Sequence, residues 1–133
     1  YCRWFSLESG RSVRLPTEVE WEYACRCGRR GLWCFGDDEQ LLDEYAWTQR
    51  NSSNELHDAG TRKPSAWGLF DMHGSESEWC LLDSGEEPVN GVQAVVRGGA
   101  FNTPPEDTQS AARRLNPVDS PSHGAFRVLL ELD

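Results

Sequence analysis

The sequence has no apolar run long enough to cross a membrane, and its mean hydropathy is −0.65. Since a membrane-spanning helix needs about 20 consecutive apolar residues, we predict no membrane span. An excess of basic residues is also absent, because 13 Lys and Arg stand against 22 Asp and Glu, a formal net charge of −9. An acidic surface repels phosphate backbones, so we expect no general nucleic-acid binding.

The first residues contain neither an initiator methionine nor the charged region of a signal peptide. We therefore expect that the chain was cut from a longer one at Tyr1 and that any targeting signal lies upstream. The length of 133 residues suits one domain or a piece of one. No repeat, low-complexity tract or internal domain boundary is visible.

Paired Cys-x-x-Cys motifs are missing, although the chain contains five cysteines. Because five is odd, complete disulfide pairing within the chain is impossible, and the spacing fits no standard framework. Cys25, Cys27 and Cys34 together with His57 form one candidate zinc ligand set. The missing paired motifs favour the alternative, in which the cysteines are ordinary semi-buried thiols.

Aromatic residues, glycine and proline are plentiful. The chain has 6 Trp, 5 Phe and 3 Tyr beside 12 Gly and 7 Pro. This composition predicts a loop-rich fold with many turns, short strands, few helices and aromatic anchors. We expect Trp21, Trp67, Trp79 and Phe126 to be core residues.

Two helices are indicated by local patterns. Tyr1, Trp4 and Phe5 share one helical face, and a glycine at position 10 can end that helix. A second helix is predicted after Thr17, which has Glu20 in the position of a capping box. Its inward stripe consists of Trp21, Ala24 and Cys25, and Gly28 ends it.

Two strands are predicted in the second half of the chain, at 94–97 and 125–130. Gly98 and Gly99 follow the first strand and indicate a bulge or a close backbone approach. We expect Arg97, Arg113 and Arg127 to be buried or half-buried and to tie loops to carboxylates, with a role in ligand binding as the alternative.

Five sequence blocks occur in a fixed order, at 14–24, 67–80, 97–101, 111–113 and 124–128. They include Leu-Pro-Thr-Glu-Val-Glu-Trp-Glu-Tyr-Ala, Trp-Gly-Leu-Phe-Asp-Met-His-Gly and Arg-Gly-Gly-Ala-Phe. This series resembles the sulfatase-modifying-factor family, of which formylglycine-generating enzyme is the best-known member. The resemblance implies a C-type-lectin-like α+β fold with short antiparallel strands and one or two helices. It also implies that residues 1–133 are the C-terminal portion of a single domain whose upstream part is required.

Catalytic members of this family oxidise a sulfatase cysteine to formylglycine with oxygen and a copper ion held by two cysteines shortly after the Gly-Gly. Here the stretch 100–110 contains no cysteine, and none follows Cys80. Because Cu(I) prefers thiolate ligands, we predict no copper site. Enzymatic activity stays open, and the missing cysteines favour a protein without it. The alternatives are a formylglycine-generating oxidase or the C-terminal domain of an iron-dependent sulfoxide synthase.

The resemblance also implies a structural calcium ion in the block 71–78. Asp71 and Glu78 would supply side-chain oxygens, while Gly74 and Glu76 would supply backbone carbonyls, a ligand set that suits Ca²⁺. The Asn-aliphatic-Trp that usually follows the glycine is Ser-Glu-Ser in this chain. The alternative is that the two carboxylates cap turns or pair with arginines.

A binding module is the function that we expect, with a protein or peptide as its ligand. The loops 102–110 and 116–123 are rich in residues that hold turns and form hydrogen bonds. The predicted ligand-binding residues are Phe101, Asn102, Thr103, Glu106, Asp107, Arg113 and Asn116.

Overall fold

The computed structural model describes residues 1–82, 93–117 and 124–131. Its regular elements in chain order are α1 (Cys2–Ser9), β1 (Val13–Arg14), α2 (Glu18–Arg26), a 3₁₀ turn (Glu39–Leu41), α3 (Leu42–Tyr45), β2 (Glu78–Cys80), β3 (Gln93–Arg97), a second 3₁₀ turn (Pro105–Thr108), β4 (Arg113–Pro117) and β5 (Leu129–Leu130). Among these described helices none is both long and apolar enough to cross a membrane.

Helix α2 begins with the capping box that the sequence predicts. The Thr17 hydroxyl accepts a hydrogen bond from the Glu20 backbone N–H, and the Glu20 carboxylate accepts one from the Thr17 backbone N–H at 2.8 Å. These two bonds satisfy amides that have no partner inside the helix. The helix ends one residue earlier than expected, at Cys27, whose φ of 42° is left-handed. Helix α1 ends at Gly10, as predicted.

The strands form two small antiparallel sheets. In the first, β2, β3 and β4 pair in that order, with Glu78 opposite Arg97 and Arg97 opposite Arg113. In the second, β1 pairs with β5, so Val13 lies opposite Leu130 near the other end of the chain. Short antiparallel strands with three helices confirm the predicted α+β class, while the four-residue helix α3 lies in a region that the sequence analysis assigned to loops.

The core forms where α2 lies against β3. Its largest cluster of buried residues comprises Trp21, Cys25, Met72, Cys80 and Val95. A second, smaller cluster comprises Trp33, Leu42 and Ala46. The inward stripe predicted for α2 is therefore confirmed.

Two of the predicted core aromatics lie at the surface. Trp67 is 48% exposed and packs against Tyr23 at a tilt, with 5.2 Å between ring centroids. Phe126 is 46% exposed and contacts Tyr1 in the same way, at 5.4 Å. The predicted strand 125–130 is also shorter than expected, because in this range only Leu129 and Leu130 pair with β1.

Buried ion pairs join α2 to the three-stranded sheet. Arg97 is 3% exposed and bonds Glu18 and Glu22 of α2 as well as the Ser110 carbonyl at 2.9 Å. Arg113, on the neighbouring strand, forms a two-point contact with Glu18 at 2.5 and 2.9 Å. A buried carboxylate is stable only when it is paired, so each strand fixes the helix position. The predicted pairing with carboxylates is confirmed for Arg97 and Arg113, but Arg113 is exposed and not buried or half-buried as predicted.

Candidate functional site

A small polar pocket lies where β3 and β4 meet the loop that joins them. Its lining includes Ser77, Gly99, Thr103, Asp107, Arg113 and Arg114, and its volume is about 30 Å³. We call it the polar pocket. A space of this size holds a few atoms of a ligand, such as one carboxylate or amide group, and not a whole side chain.

The backbone at position 99 lies very close to Asp107 and Thr103 in the wall of the polar pocket, and this is why the position requires a glycine. The φ of Gly99 is 69°, and a Cβ placed there would lie 2.9 Å from the Asp107 carbonyl oxygen and 3.0 Å from the Thr103 hydroxyl. A side chain would therefore meet both strain and collision. The close approach predicted after β3 is confirmed.

Charged groups of both signs border the polar pocket and hold each other. The Arg113 guanidinium is anchored on Glu18, and the Arg114 guanidinium bonds the Asp107 carboxylate. Asp107 lies in the second 3₁₀ turn, whose Thr108 hydroxyl donates to the Pro105 carbonyl at 2.7 Å. The pocket thus presents polar atoms in fixed positions without an unbalanced charge.

Three of the seven predicted ligand-binding residues line the polar pocket: Thr103, Asp107 and Arg113. Phe101 is half-buried, and its backbone is fixed by an N–H···O bond to Ser75 and by the Ser52 hydroxyl, both at 2.8 Å.

The other predicted ligand-binding residues lie beside the polar pocket or in the strand. Asn102 and Glu106 are exposed, and Asn116 lies in β4 opposite Ala94. Residues 118–123 of the second predicted loop lie outside the described residues.

Sequence reasoning missed two polar side chains of the lining, Ser77 and Arg114. Ser77 lies directly before β2. Arg114 lies in β4, a strand that the sequence patterns did not predict. The Arg-Arg pair at 113–114 is a local signal that could have pointed to this place.

Cys25, Cys27 and Cys34 do not form the candidate zinc site with His57. Cys25 and Cys34 approach a histidine, but it is His73; the His57 ring instead stacks on Trp47 with 3.6 Å between centroids. Within 1–82, 93–117 and 124–131, no group of three His, Cys, Asp or Glu residues can hold a metal ion. Burial raises the pKa of Cys25 to about 12, of Cys34 to about 11 and of Cys80 to about 12, so these thiols stay protonated.

His73 is a structural residue beneath the polar pocket. Its side chain is 1% exposed, its Nδ1 lies 2.8 Å from the Thr108 carbonyl oxygen, and its Nε2 lies 3.0 Å from the Cys34 backbone nitrogen. Since a carbonyl only accepts and an amide only donates, Nδ1 carries the proton and Nε2 accepts. Burial lowers the pKa of His73 to about 4, so the ring is neutral and both its nitrogens are used. It is therefore not placed to act as a base.

A second, larger pocket of about 390 Å³ contains the predicted calcium ligands Asp71, Glu76 and Glu78 together with Asp58 and Arg127. We call it the acidic pocket. Gly74, the fourth predicted ligand, lies close by, where its backbone N–H donates to the carbonyl of Gly98 at 2.7 Å.

The donor groups of the acidic pocket do not fit a calcium ion in their present arrangement. Both oxygens of Glu78 accept hydrogen bonds from Arg127 at 2.5 Å, and Oε2 also accepts one from Trp21 Nε1 at 2.7 Å. Asp71 Oδ2 accepts from the Gly60 backbone N–H at 2.7 Å, while Asp71 Oδ1 is buried without a hydrogen-bond partner in the described structure. Of the two carboxylates predicted to bind calcium, only Asp71 Oδ1 is therefore without a hydrogen-bond partner in the described structure.

Comparison with known proteins agrees with this architecture. The sequence matches the sulfatase-modifying factor enzyme 1-like domain family over residues 1–132. It is 39% identical over 94 residues to a formylglycine-generating enzyme of Mycobacterium tuberculosis, covering 62% of this chain and 29% of that protein. It is 29% identical over 111 residues to an inactive Cα-formylglycine-generating enzyme 2 of Mus musculus, covering 76% of this chain and 33% of that protein.

A similar fold occurs in the structure of PvdO from Pseudomonas aeruginosa, with a TM-score of 0.83 and 26% sequence identity. The alignment covers 99% of this chain and 57% of PvdO. The chain thus spans about a third of the two curated relatives and little more than half of the solved structure. With the family matched along nearly the whole sequence, the chain belongs to the sulfatase-modifying factor enzyme 1-like family.

Proposed function

We propose that the chain is a binding module in which the polar pocket and the adjoining loop 101–107 recognise a peptide or protein, and that it does not oxidise cysteine. The observation that carries this proposal is the chemistry of the polar pocket. Its lining offers hydroxyl, carboxylate, guanidinium and backbone groups and contains no thiol. Such groups form hydrogen bonds to a polypeptide but provide no site for Cu(I).

The cysteines elsewhere in the chain support the same reading. Cys25, Cys27, Cys34 and Cys80 are buried, and Cys2 is half-buried in α1. Since burial raises the pKa of Cys25, Cys34 and Cys80, these three thiols neither ligate copper nor react with oxygen at a useful rate.

The geometry of the polar pocket also suits recognition. Its walls are held by hydrogen bonds and ion pairs within the chain, so a ligand loses little free energy in ordering them. The exposed side chains of Asn102 and Glu106 extend the polar surface beside it. Rigid walls with exposed polar residues around them are the arrangement expected of a selective binding surface.

The relatives include a formylglycine-generating enzyme and an inactive Cα-formylglycine-generating enzyme 2. The alternative function for this chain is therefore the oxidation of a sulfatase cysteine to formylglycine, which would require copper ligands from outside the polar pocket.

The proposal is tested with a phage-displayed library of random peptides, selected against the protein and followed by affinity measurements on the synthesised peptides. Asp107→Asn breaks the ion pair with Arg114 at the polar pocket. Asp43→Asn is the matched control, because it breaks a similar surface pair with Arg50 at a distance of 2.9 Å. We expect Asp107→Asn to weaken binding by about tenfold or more and Asp43→Asn to leave it unchanged.

Two results would contradict the proposal. One is a library that yields no peptide with saturable binding. The other is a set of selected peptides whose affinities fall equally in both variants, because that outcome places the binding surface elsewhere.

A further inference from the structure

The acidic pocket contains one permanent cation of its own. Arg127 reaches it from the segment between Ala125 and β5 and lines it together with Asp71 and Glu78. We infer that the Arg127 guanidinium is the resident cation of this pocket and occupies the place that the family resemblance gives to a calcium ion.

Glu78 is the group that requires a cation. It is 5% exposed and lies in β2 between the core and the pocket. A carboxylate so far from water is stable only with a counter-charge and with hydrogen bonds to its oxygens. The Nε and Nη2 atoms of Arg127 provide both, with one bond to each carboxylate oxygen, and Trp21 provides a third bond.

The other contacts of Arg127 hold it in the pocket. Its Nη2 atom donates to the carbonyl oxygen of Phe70 at 3.2 Å, directly before Asp71 in the chain. The carboxylates of Glu78 and Asp71 line the same pocket, and a guanidinium does not lose its proton in proteins. The guanidinium is therefore always charged here and neutralises the two acids together.

The two cations exclude each other for a geometric reason and an electrostatic one. The two-point contact with the guanidinium takes one lone pair of each carboxylate oxygen, and Trp21 takes the second lone pair of Oε2, so Glu78 does not have a free lone pair on both oxygens to hold a calcium ion in a bidentate manner. A divalent ion on Glu78 would also lie a few ångströms from the positive charge of Arg127. Glu78 can therefore hold calcium through both of its oxygens only if Arg127 leaves.

The consequence reaches the polar pocket. The segment between Asp71 and Glu78 carries Ser75, whose carbonyl accepts a hydrogen bond from the Phe101 N–H at 2.8 Å, and it also carries Ser77 of the polar-pocket lining. Since Arg127 fixes this segment, the polar pocket keeps its shape without a metal ion. Chelators should leave it intact.

The test compares the wild-type protein with Arg127→Met and Arg127→Lys in thermal melts and calcium titration calorimetry, each with excess EDTA or millimolar CaCl₂. Methionine removes the charge, and lysine, the matched control, keeps it. For the wild type, and likewise for Arg127→Lys, we expect the melting temperature in EDTA to equal that in calcium. Arg127→Met should melt lower in EDTA and recover on addition of calcium, with saturable heat of binding.

Wild-type protein that binds calcium saturably, and loses this binding in Glu78→Gln, would overturn the inference. It would also be overturned by an Arg127→Met protein that folds but does not respond to calcium, because the two cations would then not compete for one place. If Arg127→Met does not fold, the wild-type titration alone decides: no calcium binding supports the inference and saturable binding refutes it.

Discussion

His73 should make the protein sensitive to mild acid. The ring is buried and neutral, and it joins three separate segments through Cys34, Thr108 and its own loop. In the unfolded chain it regains the ordinary pKa of about 6.5. Its folded pKa of about 4 is lower than this because burial penalises the charged ring.

The sign and size of the effect follow from linkage. Between pH 6.5 and 4 the unfolded chain binds more protons than the folded one, so stability present above pH 6.5 is lost as the pH falls. At about 1.4 kcal/mol per pKa unit, the loss from His73 reaches about 2 kcal/mol at pH 5 and about 3 kcal/mol below pH 4. Glu20, whose pKa is lowered to about 2 by its hydrogen bonds to Arg14 and Thr17, loses its contribution only below pH 4.5. The window from pH 6.5 to 4.5 therefore reports on the histidine.

Urea unfolding of the wild type and of His73→Gln between pH 7.5 and 4.5 checks this prediction. The variant should be less stable at pH 7.5 but should lose much less stability on acidification. An NMR titration of the His73 ring in the folded wild type gives an independent measurement. A ring that titrates near pH 6.5, or pH profiles that run parallel in the two proteins, would refute the reasoning.

Two further predictions concern backbone packing and thiols. Gly74→Ala should destabilise the protein by at least about 2 kcal/mol in urea, because φ is 73° and the new Cβ would lie 2.1 Å from the Trp47 carbonyl oxygen. Gly10→Ala, which has a similar φ of 69° but no neighbour within 4 Å, should cost only about 1 kcal/mol. Under native conditions the thiol reagent DTNB should modify Cys2 and leave the four buried cysteines untouched until the protein unfolds; rapid reaction of two or more thiols would contradict their burial.

Local patterns in the sequence predicted local structure. Helix α2 could be predicted because its cap, dipole-facing acids and inward stripe all lie within ten residues of Thr17. The strand before Gly98 was predictable for the same reason, since a short β-branched run ends at a glycine pair.

The features that the sequence did not predict depend on contacts between distant residues. Phe126 and Trp67 have the composition of core residues, but their burial depends on which segments meet, and the structure leaves them at the surface. The pairing of Glu78 with Arg127 joins residues 49 positions apart, so periodicity does not reveal which carboxylate an arginine will contact. Thr103, Asp107 and Arg113 could be predicted as ligand-binding residues because they lie in or between the blocks 97–101 and 111–113 and have side chains that form hydrogen bonds.

The absence of cysteine oxidation is the central claim, and mass spectrometry tests it most directly. A synthetic Cys-x-Pro-x-Arg peptide is incubated with the protein, a copper salt, oxygen and a reductant, beside a catalytically active relative as positive control. The account predicts unchanged cysteine in the sample and formylglycine in the control. Copper-dependent formylglycine in the sample would contradict it, and would show that ligands outside the polar pocket replace the missing pair of cysteines.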